Sequence, residues 1–326
     1  MTSQALNFAQ KPFLEAIEPA LLAHLAGKAA NTKLAYRARL QKFADWKDQQ
    51  PRADIITCLE GYIEHLQQIG LAASSVQSHI STIRNLLKTA IVCFGDDADH
   101  RLLPRLDFIQ APPIRGIQQG QRLTGAQRQQ LLDAPGIDTH KGRRDTAMLA
   151  LMSVCGLRRS EVQALCWKHI GELDGHKVIL NLRSKHGRVR TIKLPDALWR
   201  LIQAWAHRAN VDQSPDSPVF VVIHQTGRVE HGQRLSGSSI RHLVHAYVRQ
   251  LRREGYHLPR ISPHDLRRTA ARLARRGGAS IEQVQIMLGH SSSRTTEIYI
   301  GETLDLNNHA VDRFDGIIPE PTDDSP

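Results

Sequence analysis

The stretch QAPPIRGIQQGQ, residues 110–121, sets two prolines, two glycines and a run of glutamines together with no apolar periodicity. Neither a helix nor a strand could bury a face there, so it reads as a linker. It divides a chain of 326 residues, longer than one hydrophobic core usually serves, into two domains. The expected layout is an N-terminal extension over 1–14, a helical domain over 15–109, the linker over 110–121, a second domain over 122–316 and a disordered tail over 317–326, ending in PEPTDDSP.

From about residue 15 to 95 the periodicity is helical throughout. In NTKLAYRARLQKFADWKDQQ, Leu34, Leu40, Phe43 and Trp46 recur every three or four residues between Lys33, Arg37, Arg39 and Lys42, and Asn31 and Thr32 are able to cap. SSVQSHISTIRNLLKTAIVCFG repeats the pattern with Val76, Ile80, Ile83 and Leu87, from Ser74 or Ser75 to Gly95. These helices predict a bundle with basic residues outside. After the linker, Thr124 caps GAQRQQLLDA and an apolar helix, TAMLALMSVC, runs up to Gly156. KVILNL and RVRTIKLP form a hairpin across RSKHG, with Gly187 in the turn, and PVFVVI at 218–223 adds a shorter strand. Helical patterns then resume, so the fold class is mainly α with a small antiparallel sheet.

The charge narrows the partners. Forty-three Lys and Arg against 32 Asp and Glu give a formal charge of +11, which favours a polyanion such as nucleic acid. No apolar run approaches the roughly 18 residues of a membrane span, and the first residues lack the charged and apolar blocks of a signal peptide. The expectation is a cytoplasmic, DNA-associated protein with no membrane contact. Cys58, Cys93, Cys155 and Cys166 form no CxxC pair and are expected to be reduced and buried. Neither a GxxxxGK[ST] loop nor an HExxH pair occurs, and no cofactor or metal is expected.

The residues with chemical promise start from SPHDLRRTAARLARRGG, residues 262–278. At 100° per residue, Leu266, Ala270, Leu273 and Ala274 form an apolar arc, and Arg268, Arg272, Arg275 and Arg276 fan over the other side as an ordinary basic surface. Arg267 falls at the edge of the apolar arc, one turn from His264, where a guanidinium is partly desolvated and needs an anionic partner. Alone it would read as half of a buried ion pair. Further motifs stand elsewhere: Arg158 with Glu161 in CGLRRSEV, at a glycine-broken helix junction, and His290 and Tyr299 in LGHSSSRTTEIYI.

Taken in order, Arg158, the hairpin lysine Lys185, HDLR at 264–267, LGH at 288–290 and Tyr299 closely resemble the tyrosine recombinase (phage integrase) family. The resemblance covers about 122–302, and less specifically the N-terminal helices, which look like that family's SAM-like core-binding domain. It implies a site-specific recombinase that cuts and rejoins DNA through a covalent 3′-phosphotyrosine. It also implies double-stranded DNA carrying specific recombination sites as partner, and a homotetramer on DNA from a chain that is monomeric or weakly associated when free.

The chemistry explains the residue types. A phosphodiester gains a negative charge in its pentacoordinate transition state, so two guanidinium forks, Arg158 and Arg267, stabilise that state more than the ground state. A phenol, Tyr299, can attack, hold the phosphate as an ester and leave again, conserving the bond energy without ATP. The resemblance assigns protonation of the leaving 5′ oxygen to Lys185, although Ser184 and His186 flank it where the family often has glycines. Lys193 is a rival whose place in the strand pattern favours a solvated face. By the same resemblance His264 assists proton transfer at the tyrosine, His290 donates to a non-bridging oxygen, and Glu161 orients Arg158 or His264.

Lys33, Arg37, Lys42, Ser239 and Arg241 are further candidates for DNA contact, the last two because LSGSSIRHLVHAY starts a helix at Ser238 and Ser239. The segment GETLDLNNHAVDRFDGII after Tyr299 is expected to dock on a neighbouring subunit. Two alternatives stay open on sequence: a type IB topoisomerase, which shares the tyrosine chemistry, and a non-catalytic DNA-binding regulator.

Overall fold

Thr139 begins the helix around which the larger half of the protein is built. Its hydroxyl accepts from the backbone of Gly142, and the helix that follows, His140–Ser153, buries every residue from Arg144 to its end. A helix buried on every side must be surrounded, and four other helices pack on it. The computed structural model describes residues 12–50, 54–113, 120–183, 189–224 and 226–290, with Thr296 and Ile300. Contacts divide the chain into two compact units, Met1–Gly116 and Ile117–Pro326.

The first unit is all helix: α1 (Phe13–Leu25), α2 (Ala30–Lys47), α3 (Ile55–Gln68), α4 (Ala73–Phe94), and the short α5 (Asp97–His100) and α6 (Leu102–Phe108). Its core gathers Phe13, Ile17, Leu40, Phe43, Leu59, Tyr62 and the Val76, Ile80, Ile83 and Leu87 stripe of α4. Asp54 caps α3, accepting from the backbones of Ile56 and Thr57. Three readings are corrected. The residues before α2 and α4 are Ala29 and Ala72, with no side-chain cap, so Asn31 and Thr32, and Ser74 and Ser75, lie inside their helices. Packing of α2 against α1 and α4 forms it without a cap. Leu34 is 66% exposed and belongs to no core, because it sits in the first turn, away from the Leu40 and Phe43 face. Cys93, near the end of α4, is exposed, whereas Cys58, Cys155 and Cys166 are buried; all four thiols are free.

The second unit runs α7 (Gly125–Asp133), α8 (His140–Ser153), α9 (Arg159–Ala164), β1 (Ile170–Leu173), β2 (His176–Arg183), β3 (Val189–Lys193), α10 (Asp196–Arg208), β4 (Val221–Ile223), β5 (Val229–Arg234), α11 (Gly237–Arg253), α12 (Pro263–Arg276) and α13 (Ile281–Leu288). Thr124 caps α7 through a reciprocal bond with Gln127. The first three strands form an antiparallel sheet in chain order, and β4 pairs with β5. The readings missed β1 and β5, which bury no residue fully and carry no apolar alternation. The apolar helix stops at Ser153, three residues short of Gly156. The cap of α11 is Ser236, whose hydroxyl accepts from the backbone of Ser239, so Ser238 and Ser239 lie in its first turn. Among the described residues no helix is long and apolar enough to cross a membrane.

Candidate active site

The site is assembled where three helix ends meet strand β3. Arg158 stands just before α9, at the junction that follows Gly156. Glu161, in the first turn of α9, accepts from the Arg158 backbone at 2.6 Å and from Arg158 Nη1 at 2.9 Å. Ser262 and Asp265 close a reciprocal cap on α12 with Pro263 at its first position, which fixes the turn bearing His264 and Arg267. Ser280 and Gln283 cap α13, which ends at Gly289 and delivers His290.

Gly289 adopts a left-handed conformation, φ +62° and ψ 44°, which costs a residue with a Cβ about 1–2 kcal/mol. A Cβ there would also lie 2.9 Å from Cδ of Arg190. The glycine of LGH is thus fixed by backbone conformation and by a guanidinium beneath it.

Arg267 is 0% exposed. Its Nη1 donates to the Gly156 carbonyl at 2.5 Å and its Nη2 to the Leu288 carbonyl, joining α12 to the junction before α9 and to the end of α13. The anionic partner expected for it is Glu161, but at 4.0 Å, so the near hydrogen bonds go to carbonyls. Glu161 itself is clasped more closely by Arg190, whose Nη1 and Nη2 donate to its two carboxylate oxygens at 2.9 and 2.7 Å. Burial alone would raise the carboxyl pKa, but the hydrogen bonds and charge of Arg190, then Arg158, outweigh it and hold Glu161 below its ordinary value.

His290 is buried, and its Nδ1 lies 3.0 Å from Thr296 Oγ1. Desolvation, then the charges of Arg267, Arg158 and Arg190, push its pKa down to about 4, so it is neutral at pH 7. His264 is exposed at the start of α12, yet partial desolvation and the neighbouring Arg268 lower its pKa too. Arg158, Glu161, Arg267 and His290 are therefore brought together, with His264 feeling the charges of Arg267 and Arg158. Lys185 and Tyr299 lie outside the described residues, as does the segment after Tyr299. Lys193 is exposed at the end of β3, its Nζ 3.4 Å from His176 Nε2.

The other arginines of α12 need correction. Only Arg276 is exposed; Arg268, Arg272 and Arg275 are half-buried. Arg268 pairs with Asp265 at 3.0 Å, and Arg275 donates to the Ala279 carbonyl at 3.2 Å. The segment leading to α7 lies along this helix, Leu123 donating its backbone N–H to Thr269, and covers what the helical wheel left open. Lys33, Arg37, Ser239 and Arg241 are exposed, as is Lys42. Sequence reasoning missed Arg190 and Thr296. Arg190 was legible in principle, because it shares strand parity with the buried Ile192.

A mainly helical fold that gathers guanidinium groups and a neutral imidazole in one site suits chemistry on a phosphate ester. Residues 121–304 match the phage integrase family, and residues 20–92 match the N-terminal SAM-like domain of phage integrases. The chain belongs to the phage integrase family, the tyrosine recombinases, and is a DNA strand-cleaving and rejoining enzyme of site-specific recombination. It is 26% identical over 296 residues to tyrosine recombinase XerC of Corynebacterium efficiens, covering 89% of this chain and 87% of that one. It is 27% identical over 279 residues to XerD of Pseudomonas aeruginosa, covering 84% and 87%. Its fold resembles the Tn1549 transposon integrase in complex with transposon right end DNA (TM-score 0.67, 16% identity, 88% of this chain and 94% of that one). It also resembles lambda integrase bound to a core site (TM-score 0.66, 17% identity, 90% and 79%).

Proposed function

We propose that Tyr299 attacks the scissile phosphorus and expels the 5′ oxygen, leaving the DNA joined to the enzyme as a 3′-phosphotyrosine. Arg158 and Arg267 hold the non-bridging oxygens, and Lys185 gives the departing 5′ oxygen its proton. His264 assists removal of the phenol proton. A 5′ hydroxyl from a partner strand then attacks the ester and the tyrosine leaves, so each bond broken is replaced by one of the same kind.

The observation that carries this reading is that Arg158 and Arg267 flank the buried carboxylate of Glu161 and that their charges also fall on the buried His290. A neutral His290 has one N–H. If Nδ1 accepts from the Thr296 hydroxyl, that proton sits on Nε2, which is the tautomer able to donate to a phosphate oxygen. Glu161 orients Arg158, which it touches through both backbone and side chain. Lys33, Arg37, Lys42, Ser239 and Arg241, all exposed, supply contacts along the duplex, and a homotetramer forms on two paired recombination sites.

The test is to trap the adduct on genomic DNA under denaturing conditions and sequence the attached ends. A covalent adduct at a defined sequence, absent from Tyr299→Phe, is expected. No adduct would overturn the reading, and relaxation of a plasmid that lacks the recovered sequence, without recombinant product, would mark a topoisomerase instead.

A further inference from the structure

Arg190 is a buried charge that no step of the proposed chemistry uses. The alternation of β3 turns it inward with Ile192, between exposed Val189, Thr191 and Lys193. Its Nε donates to the Met287 carbonyl at 3.0 Å, and its two η nitrogens grip the two oxygens of Glu161. All three nitrogens are thus engaged with protein, and the side chain is 5% exposed. What it does in the structure is join the two halves of the site. One end fixes the carboxylate that orients Arg158; the other holds the last turn of α13, whose Leu288 carbonyl anchors Arg267 and whose exit carries His290.

We propose that Arg190 is a positioning residue for strand cleavage: it locks Glu161 and the Met287–His290 turn to β3, so that Arg158, Arg267 and His290 keep the geometry of the transition state. A planar fork is required, because a lysine ammonium could satisfy Glu161 or the Met287 carbonyl but not the bidentate pair and the carbonyl together. The inference rests on the proposed tyrosine chemistry.

The experiment measures single-turnover adduct formation on a duplex carrying the recovered target, nicked beside the cleavage point so that the released fragment diffuses away. DNA affinity and thermal melting are measured in parallel. Loss of a residue that orients catalytic ligands typically costs 10–100-fold. Arg190→Met should therefore slow cleavage by roughly a hundredfold and Arg190→Lys by roughly tenfold, with DNA affinity within about twofold of wild type. In a Glu161→Gln background, Arg190→Met should add less than its hundredfold effect in the wild type, roughly tenfold, because the part that passes through the carboxylate is already lost while the Met287 anchor is still removed. If Arg190→Met does not fold, Arg190→Lys carries the same cycle. Cleavage by the single variant within threefold of wild type, a full multiplicative penalty in the Glu161→Gln background, or a loss of affinity matching the loss of rate would each overturn the proposal. Absence of adduct from wild type would instead overturn the functional reading on which it stands.

Discussion

Replacing Gly289 with alanine separates two costs that the structure places at one residue. The first is conformational: at φ +62° and ψ 44° a Cβ is disfavoured by about 1–2 kcal/mol. The second is steric, since the new Cβ would stand 2.9 Å from Arg190 Cδ and 3.2 Å from its Nη1, so Arg190 must withdraw. Withdrawal breaks at least one hydrogen bond to a charged group, worth about 1.5–3 kcal/mol. Gly136 is the matching control, with φ +64° and nothing within 4 Å of a built Cβ. Gly136→Ala should lose only the conformational part, and Gly289→Ala about 3–4 kcal/mol in total. For a unit of this size 1 kcal/mol moves Tm by about 2–4 °C, so the expected drops are about 4 °C for Gly136→Ala and about 11 °C for Gly289→Ala. The two should also part in single-turnover adduct formation, which falls only in Gly289→Ala because the anchors of Arg158 and Arg267 shift. Equal melting losses, or equal cleavage rates, would refute the account of why this turn ends in glycine.

Three further outcomes follow. Glu161 has a depressed pKa when folded, so its stabilisation is present above the unfolded value near 4.5 and disappears as pH falls through the lower folded value; Glu161→Gln should cost about 3–5 kcal/mol at pH 7, and acid titration of melting should show the gap to wild type closing below pH 4.5. His290, at about 4 when folded and 6.5 when unfolded, lets the unfolded chain take up a proton between those values that the folded chain refuses. Stability should therefore fall by up to about 3 kcal/mol from pH 6.5 to pH 4, and His290→Asn should lose that part of the slope in pH-dependent melting. Arg267→Lys can serve the Gly156 or the Leu288 carbonyl but not both, and adduct formation should drop by about a hundredfold or more.

The sequence carried the helical character of both units, the hairpin and the outline of the site, because each leaves a local mark: a period of 3.6, a period of 2, or a histidine and arginine one turn apart. What it hid depends on contacts between distant segments. Cap-competent Asn31 and Ser74 looked like helix starts, but packing begins those helices on alanines instead. Arg268, Arg272 and Arg275 read as solvated because a helical wheel shows which face an arginine takes and not what lies over it. Strands β1 and β5 bury no residue fully and exist through their partners. Arg190 looked like one more basic residue in RVRTIKLP, and only Glu161, 29 positions earlier, gives it a meaning.

The charges of this cluster do not cancel, and that imbalance bears on the chemistry. Arg158, Arg190 and Arg267 face the single carboxylate of Glu161, while His290 is held neutral by its burial and by the same guanidinium groups. Among the described residues of the cluster, two positive charges are left over. A phosphodiester in its ground state neutralises one of them; its pentacoordinate transition state, with a second negative charge, neutralises both. In the proposed mechanism a site with this excess binds the transition state more strongly than the substrate, which is the condition for accelerating the step and not merely for holding DNA. Were His290 protonated, a third unbalanced charge would favour anions without regard to that difference. Were Glu161 absent, the three cations would repel one another out of register. In that mechanism the neutral histidine and the buried carboxylate set the charge that Arg158 and Arg267 present to the phosphate.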